Sequence, residues 1–96
     1  MINALTIDEK DTVAVAIEPI AKGSVAEIRM KDGPAKMVVV LDDIQIYHKF
    51  AIADMPKGTP VVKYGEHIGI AGCDIKIGNH VHTHNVKSHR ENLDNR

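Results

Sequence analysis

One short pattern recurs along this chain and limits the folds open to it. Asp54-Met55-Pro56-Lys57-Gly58-Thr59-Pro60-Val61 and Asp74-Ile75-Lys76-Ile77-Gly78-Asn79-His80-Val81 share an outline: aspartate, apolar residue, two residues, glycine, two residues, valine. Asp43-Ile44-Gln45-Ile46-Tyr47-His48-Lys49-Phe50 repeats it with Tyr47 in the glycine position, and Ile20-Ala21-Lys22-Gly23 is a shorter echo. Each piece has a physical reason. The aspartate caps a turn, the next apolar residue plugs a core, and glycine permits positive φ before a strand begins. Uneven spacing argues against a solenoid. The pattern suits a compact, pseudo-symmetric β fold with long loops.

Composition agrees. Twelve Ile and ten Val against three Leu favour strands, because β-branched side chains suit a pleated surface. Only Tyr47, Phe50 and Tyr64 are aromatic, so the core is aliphatic. Without stacking platforms the chain is a poor match for single-stranded nucleic acid, and a net charge of −1 argues against a duplex-binding face. At 96 residues it makes one small domain with little stability to spare, which association would supplement. Cys73 is the single cysteine, which excludes an intrachain disulfide and fits a reducing compartment. It is expected as a small buried or half-buried residue. Met1 to Lys10 has no export-signal character, and no segment approaches the roughly 20 apolar residues that cross a bilayer. A cytoplasmic, membrane-free location is the expectation.

Short β-rich runs cover Ala4 to Ile7 and Thr12 to Ile17, joined through Asp8-Glu9-Lys10-Asp11 as a hairpin. Ser24 to Lys31 alternates, and Asp32-Gly33-Pro34 marks a turn. Lys36 to Leu41 reads as a strand buried on both faces. Val61 to Tyr64 and His67 to Ala71 flank Gly65-Glu66, a second hairpin, and Val81 to Val86 is the last strand. Helix should be limited to one or two single turns. Residues 1–86 form the domain, and residues 87–96 form a polar tail.

The chemistry concentrates in His80-Val81-His82-Thr83-His84-Asn85. Alternate positions of a strand share a face, so its three histidines would line one side. Such a row can bind a metal, hold an anion or move a proton near neutral pH. It is equally the polar face of an edge strand that discourages unwanted pairing. His67 and His89 read as solvated surface, Asp43 as a turn cap, and Lys22, Lys57 and Lys76 as turn residues facing water. Tyr64 reads as a core or interface anchor.

Several blocks occur in a telling order: Asp42-Asp43-Ile44 with His48-Lys49, Ala53 to Gly58, Val62-Lys63-Tyr64-Gly65-Glu66-His67-Ile68-Gly69, then Ile75, Gly78 and His80 to Asn85. Together they resemble the amino-terminal module of altronate and galactarate dehydratases and the alpha subunit of sulfolactate sulfo-lyase, from about Thr6 to Val86. The resemblance implies a mainly β, SAF-type β-clip fold. It also implies the small subunit of a two-subunit sugar-acid dehydratase, a hydro-lyase inactive without its large subunit. Implied with it are a small hydroxy-acid substrate and Fe2+ or another divalent metal in the assembled enzyme, with none necessarily bound to this chain. Homo-oligomers are expected when the chain is isolated. Sulfolactate cleavage and a non-catalytic binding or assembly module are the alternatives. The family usually carries glycine where this chain has Tyr47, so a reshaped loop under His48 is expected.

Removing a β-hydroxyl from a sugar acid needs a base for the proton beside the carboxylate, stabilisation of the enediolate, and an acid or metal to help hydroxide leave. On the resemblance, His48, His82 and His84 are the expected catalytic residues, with His82 and His84 also metal ligands. Lys49 would pair with a substrate carboxylate as a point charge, and Asn85 would donate a hydrogen bond to the substrate. His80 stays open between a structural and a functional role.

Overall fold

A computed structural model describes residues 1–82 and 84–87. Nine strands and no helix occur among the described residues: β1 (Ala4–Leu5), β2 (Val13–Ala16), β3 (Val25–Arg29), β4 (Lys36–Val39), β5 (Lys49–Ala51), β6 (Pro60–Lys63), β7 (Glu66–Ala71), β8 (His80–Val81) and β9 (Val86–Lys87). The expected single helical turns are therefore absent there. A curled six-stranded sheet runs β4-β3-β1-β2-β5-β8, and a three-stranded sheet runs β6-β7-β9. The fold is mainly β and compact, as expected, with the six-stranded sheet curled into a half-barrel. No helix of the described residues is long and apolar enough to cross a membrane.

The recurring pattern becomes four turns joined in two pairs. Ile20 and Ile44 exchange backbone hydrogen bonds of 2.9 and 2.8 Å, and Met55 and Ile75 exchange two of 2.8 Å. All four side chains are buried. Three residues on from each stands a positive-φ residue: Gly23, Tyr47, Gly58 and Gly78. The backbone N–H of each donates to the carbonyl four residues before its partner's apolar plug, at Val40, Ala16, Ala71 and Ala51 respectively. The aspartates cap as expected, but across the pair. Asp43 Oδ1 accepts from Lys22 N, Asp74 Oδ1 from Lys57 N, and Asp54 Oδ1 from Ile77 N. Each aspartate thus satisfies the turn of the other repeat. Tyr47 takes φ 67° and keeps the same turn as the glycines, so the expected reshaping of the loop under His48 does not occur.

Two cores follow. Ala4, Ala14, Ala16, Ala26, Ile28 and Phe50, with the Ile20 and Ile44 plugs, fill the concave face of the large sheet. Four alanines there let β1, β2 and β3 curl tightly, since a concave face has little room per residue. Val13, Ala51, Val61, Ala71 and Val81, with Met55 and Ile75, fill the space between the other face and the small sheet. Thr12 joins the sheets: its N–H donates to Val62 O at 2.9 Å and its hydroxyl accepts from Val62 N at 3.0 Å. Buried Asp11 accepts from Ile7 N, Asp8 N and Gly65 N, tying the β1–β2 loop to the β6–β7 turn.

The two expected hairpins form. β1 pairs antiparallel with β2, and β6 with β7. The second turns at Tyr64-Gly65 rather than Gly65-Glu66. Both residues have positive φ, as a two-residue turn matched to strand twist requires. Tyr64 is exposed there, with Lys63 Nζ 4.9 Å from its ring centroid, and is not a core anchor. β4 is an edge strand with Met37 and Val39 exposed, not a strand buried on both faces. The small sheet covers the large one only near β2, β5 and β8, so the outer side of β4 stays bare. Cys73 is exposed, contrary to expectation, because the burial at that bend goes to Ala71 and Ile75 on either side. The last expected strand is split: β8 joins β5 in the large sheet and β9 joins β7 in the small one. Lys87 belongs to β9, and the rest of the expected tail, with His89, lies outside the described residues.

Two glycines separate backbone strain from close packing. Gly58 has φ +91° with open space where a Cβ would sit. Gly78 has φ +95°, and its added Cβ would lie 2.4 Å from Val39 O. Gly58→Ala should cost about 1–2 kcal/mol from φ alone. Gly78→Ala should exceed it by at least about 2 kcal/mol, because backbone must move. Urea unfolding of both variants measures the difference.

Candidate functional site

Two of the paired turns deliver the histidines. His48 follows Tyr47 in the Ile44 turn; its N–H donates to Gln45 O at 3.0 Å and its carbonyl accepts from Ala16 N at 2.9 Å. His80 opens β8 opposite Phe50, two residues beyond Gly78. A strand's alternation therefore puts His48, Phe50 and His80 on the same side of the large sheet, with the rings at the rim of the first core. Phe50 is fully buried while His48 and His80 are half-buried.

After Val81 the chain bends, and Asn85 sets the bend. Its Oδ1 accepts from His82 N at 2.9 Å, and its Nδ2 donates to His80 O at 2.8 Å. His82 O in turn accepts from Asn85 N and Val86 N at 3.1 Å each. This local side-chain bonding competes with the sheet ladder and ends β8 after two residues. Asn85 is buried, and both ends of its amide are engaged with backbone. In this structure the amide clamps the histidine turn. On the other side of His80, Asp42 Oδ2 accepts from His80 N at 2.8 Å and from Asn79 Nδ2 at 3.2 Å.

The rings converge. His48 Nδ1 and His80 Nε2 lie 2.9 Å apart, one supplying the proton according to tautomer. Ring centroids are 5.1 Å apart for His48–His80, 5.2 Å for His48–His82 and 5.6 Å for His80–His82, with planes within about 21° of parallel. One nitrogen from each of these three rings falls within 4.8 Å of the others, close enough for a single ion. His84 stacks on His80 at 5.5 Å, tilted by 32°, and lies outside that three-nitrogen group. His82 and His84 are exposed, so the cluster is an open rim. A cavity of about 260 Å³ lined by Leu5, Thr6, Ile7, Arg29, Met30 and Lys31 includes none of these rings.

His48 and His82 thus stand together as the sequence suggested, and His84 joins them at the edge. His80 is the residue the sequence left undecided. Its place at the start of β8, which pairs with β5 just after His48, decides it, and that pairing of distant strands is not visible in the sequence. Lys49 is not part of the group. Its register with Val15 and Val81 puts it on the opposite face of β5 from His48. Burial, with the Lys63 charge adding to it, pushes its pKa down.

Residues 2–89 match the family profile of the altronate/galactarate dehydratase SAF domain. The chain belongs to that family. This SAF domain is 39% identical over 90 residues to an altronate dehydratase of Escherichia coli strain K12, and 34% identical over 89 residues to one of Bacillus subtilis strain 168. The matches take in 94% and 93% of the chain, but only 17% of either relative. It is also 48% identical over 48 residues to the alpha subunit of (2R)-sulfolactate sulfo-lyase of Paracoccus pantotrophus, across 50% of this chain and 72% of that subunit.

The His80 pKa is pushed below its ordinary 6.5 by burial and by the neighbouring His48, His84 and His82, with Asp42 opposing. The unfolded chain, with its ordinary histidine, therefore binds a proton first as pH falls. This contribution to stability is intact above pH 6.5 and declines as pH drops from there through the lower folded value. Metal-free protein should lose stability on acidification through this window, and His80→Gln should flatten the slope in urea titrations at stepped pH. Asn85→Ala, which strands His82 N–H and His80 C=O, should cost about 2 kcal/mol. Histidine NMR shifts should move with it, reporting loss of the ring arrangement.

Proposed function

We propose that the chain is the small subunit of a two-subunit sugar-acid dehydratase of the altronate/galactarate type. It contributes its histidine rim to a lyase site closed by a large subunit. One observation carries this reading: imidazoles from two distant segments converge on an open rim of a domain that accounts for 17% of the altronate dehydratases it matches. Elimination from a charged hydroxy acid needs a site from which water is excluded. An exposed rim cannot exclude it alone, and the remaining length of the relatives is the natural cover.

Within that site a neutral imidazole takes the proton next to the substrate carboxylate. The electron pair passes to the enediolate and then expels the β-hydroxyl, which leaves as water after protonation. With no ion bound, His48 Nδ1 and His80 Nε2 share one proton across 2.9 Å; with an ion at the rim these nitrogens face it, and His84 beside His80 is the ring left to act as base. His82 and His84, the exposed pair, are the rings a substrate reaches first. A divalent ion held at the rim would polarise the carboxylate and hydroxyl oxygens when bound. Asp42 and Asn85 hold the backbone on either side of His80 and so orient the rings. With Lys49 on the other face of β5, the carboxylate's counter-charge comes from the ion or the large subunit.

A second reading is the alpha subunit of a sulfolactate sulfo-lyase. The favouring observation is the 48% identity to a protein of which the matched segment is 72%. Both readings place the chain beside a larger partner, in the cytoplasm. Co-expression with the large dehydratase-like chain, assayed on aldonic, aldaric and sulfonated acids, tests them. Turnover is expected only for the pair. Replacing His82 and His84 together with Ala should lower kcat by at least about 100-fold, the usual scale for removing acid–base groups. Unchanged rates would remove both from the mechanism.

A further inference from the structure

We propose that this chain by itself binds one divalent transition-metal ion, through one ring nitrogen each of His48, His80 and His82. The expectation from family resemblance put any metal on His82 and His84 or in the partner. The geometry selects a different set, with the two half-buried rings as ligands and His84 at the margin.

Three features support this. First, the ligands come from segments 32 residues apart, yet His48 Nδ1 and His80 Nε2 already lie 2.9 Å from each other. Imidazole nitrogens around a tetrahedral ion at about 2.0–2.1 Å stand roughly 3.3 Å apart, so the pair needs only to open slightly. Turning the third ring brings in His82, whose nitrogen is within 4.8 Å of the others. Second, the backbone beneath the ligands is fixed on both sides. Asp42 holds the His80 N–H, while Asn85 holds the His80 carbonyl and the His82 N–H. Outer contacts of this kind orient metal-binding rings. Third, the three rings gather at one spot that an ion can reach: their centroids stand 5.1, 5.2 and 5.6 Å from one another, and His82 is exposed.

The donor set also selects the ion. Three neutral imidazoles suit zinc, iron(II), cobalt(II) or nickel(II), and not magnesium or calcium, which take oxygen ligands. Three protein ligands leave a coordination position open, as in catalytic rather than structural sites. The ion keeps its full double charge on such ligands, so the open position prefers an anionic oxygen. A hydroxy-acid carboxylate meets that need, a clause that rests on the lyase reading. Metal binding itself does not rest on it.

The chelator-stripped chain, titrated with Co2+ and followed by visible absorption, tests the proposal. Saturation at one ion per chain is expected, with excess Ca2+ failing to compete. His48→Ala, His80→Ala and His82→Ala should each weaken binding more than about tenfold. His67→Ala should leave it within about twofold, with thermal unfolding checking that every variant folds. Imidazole nitrogen resonances of the unaltered chain with Zn2+ give a readout that needs no variant: those of His48, His80 and His82 should shift together. Absence of a one-to-one end point, unshifted resonances, or equal damage from His67→Ala would overturn the proposal. The dehydratase reading fails separately, through inactivity of the co-expressed pair.

Discussion

The reciprocal backbone pairing of buried apolar residues, Ile20 with Ile44 and Met55 with Ile75, is the constraint from which the rest of the molecule follows. Each pair locks two chain reversals face to face. Each reversal is completed by a positive-φ residue, and three of the four are capped by an aspartate from the opposite repeat. The two pairs are themselves joined at Gly78, whose N–H donates to Ala51 O and whose carbonyl accepts from Leu41 N. Little space remains there, as the 2.4 Å approach of Val39 O to a hypothetical Cβ makes clear. In a small domain with modest cores, such dense backbone bonding substitutes for bulk.

The histidines are a consequence of this scaffold. His48 and His80 each stand one or two residues past the positive-φ position of a turn, one turn from each pair. Locking the turns brings the rings to hydrogen-bonding distance without any dedicated element. The cost is electrostatic: four imidazoles crowd together and His80 is harder to protonate. The rings stand close enough for one ion or one shared proton to bridge them.

Much of this was legible in residue order. Asp8 to Asp11 and Gly65-Glu66 announced hairpins because turn chemistry is local, although the second turn sits one residue earlier, at Tyr64-Gly65. The recurring Asp-apolar-x-x-Gly announced the turns for the same reason. Other features were not legible. Lys36 to Leu41 looks like a buried strand, yet burial depends on what lies across each face, and the small sheet stops short of β4. That Asn85 clamps the backbone on both sides of Val81 could not be read from the sequence, because its backbone partners come within reach only where β8 bends. Lys49 adjoins His48 in sequence, and strand alternation sends the two to opposite faces.

By itself, the sequence determined that this chain is an aliphatic β domain, where it turns, and which residue types carry its chemistry, because propensity, turn geometry and ring chemistry are properties of residues and their immediate neighbours. Only the tertiary structure decided that the aspartates cap across repeats, that Tyr47 can stand in for glycine without altering the turn, and that His80 joins His48 and His82 while Lys49 does not. Those outcomes depend on which distant segments meet, and that is settled by packing the two turn pairs against each other.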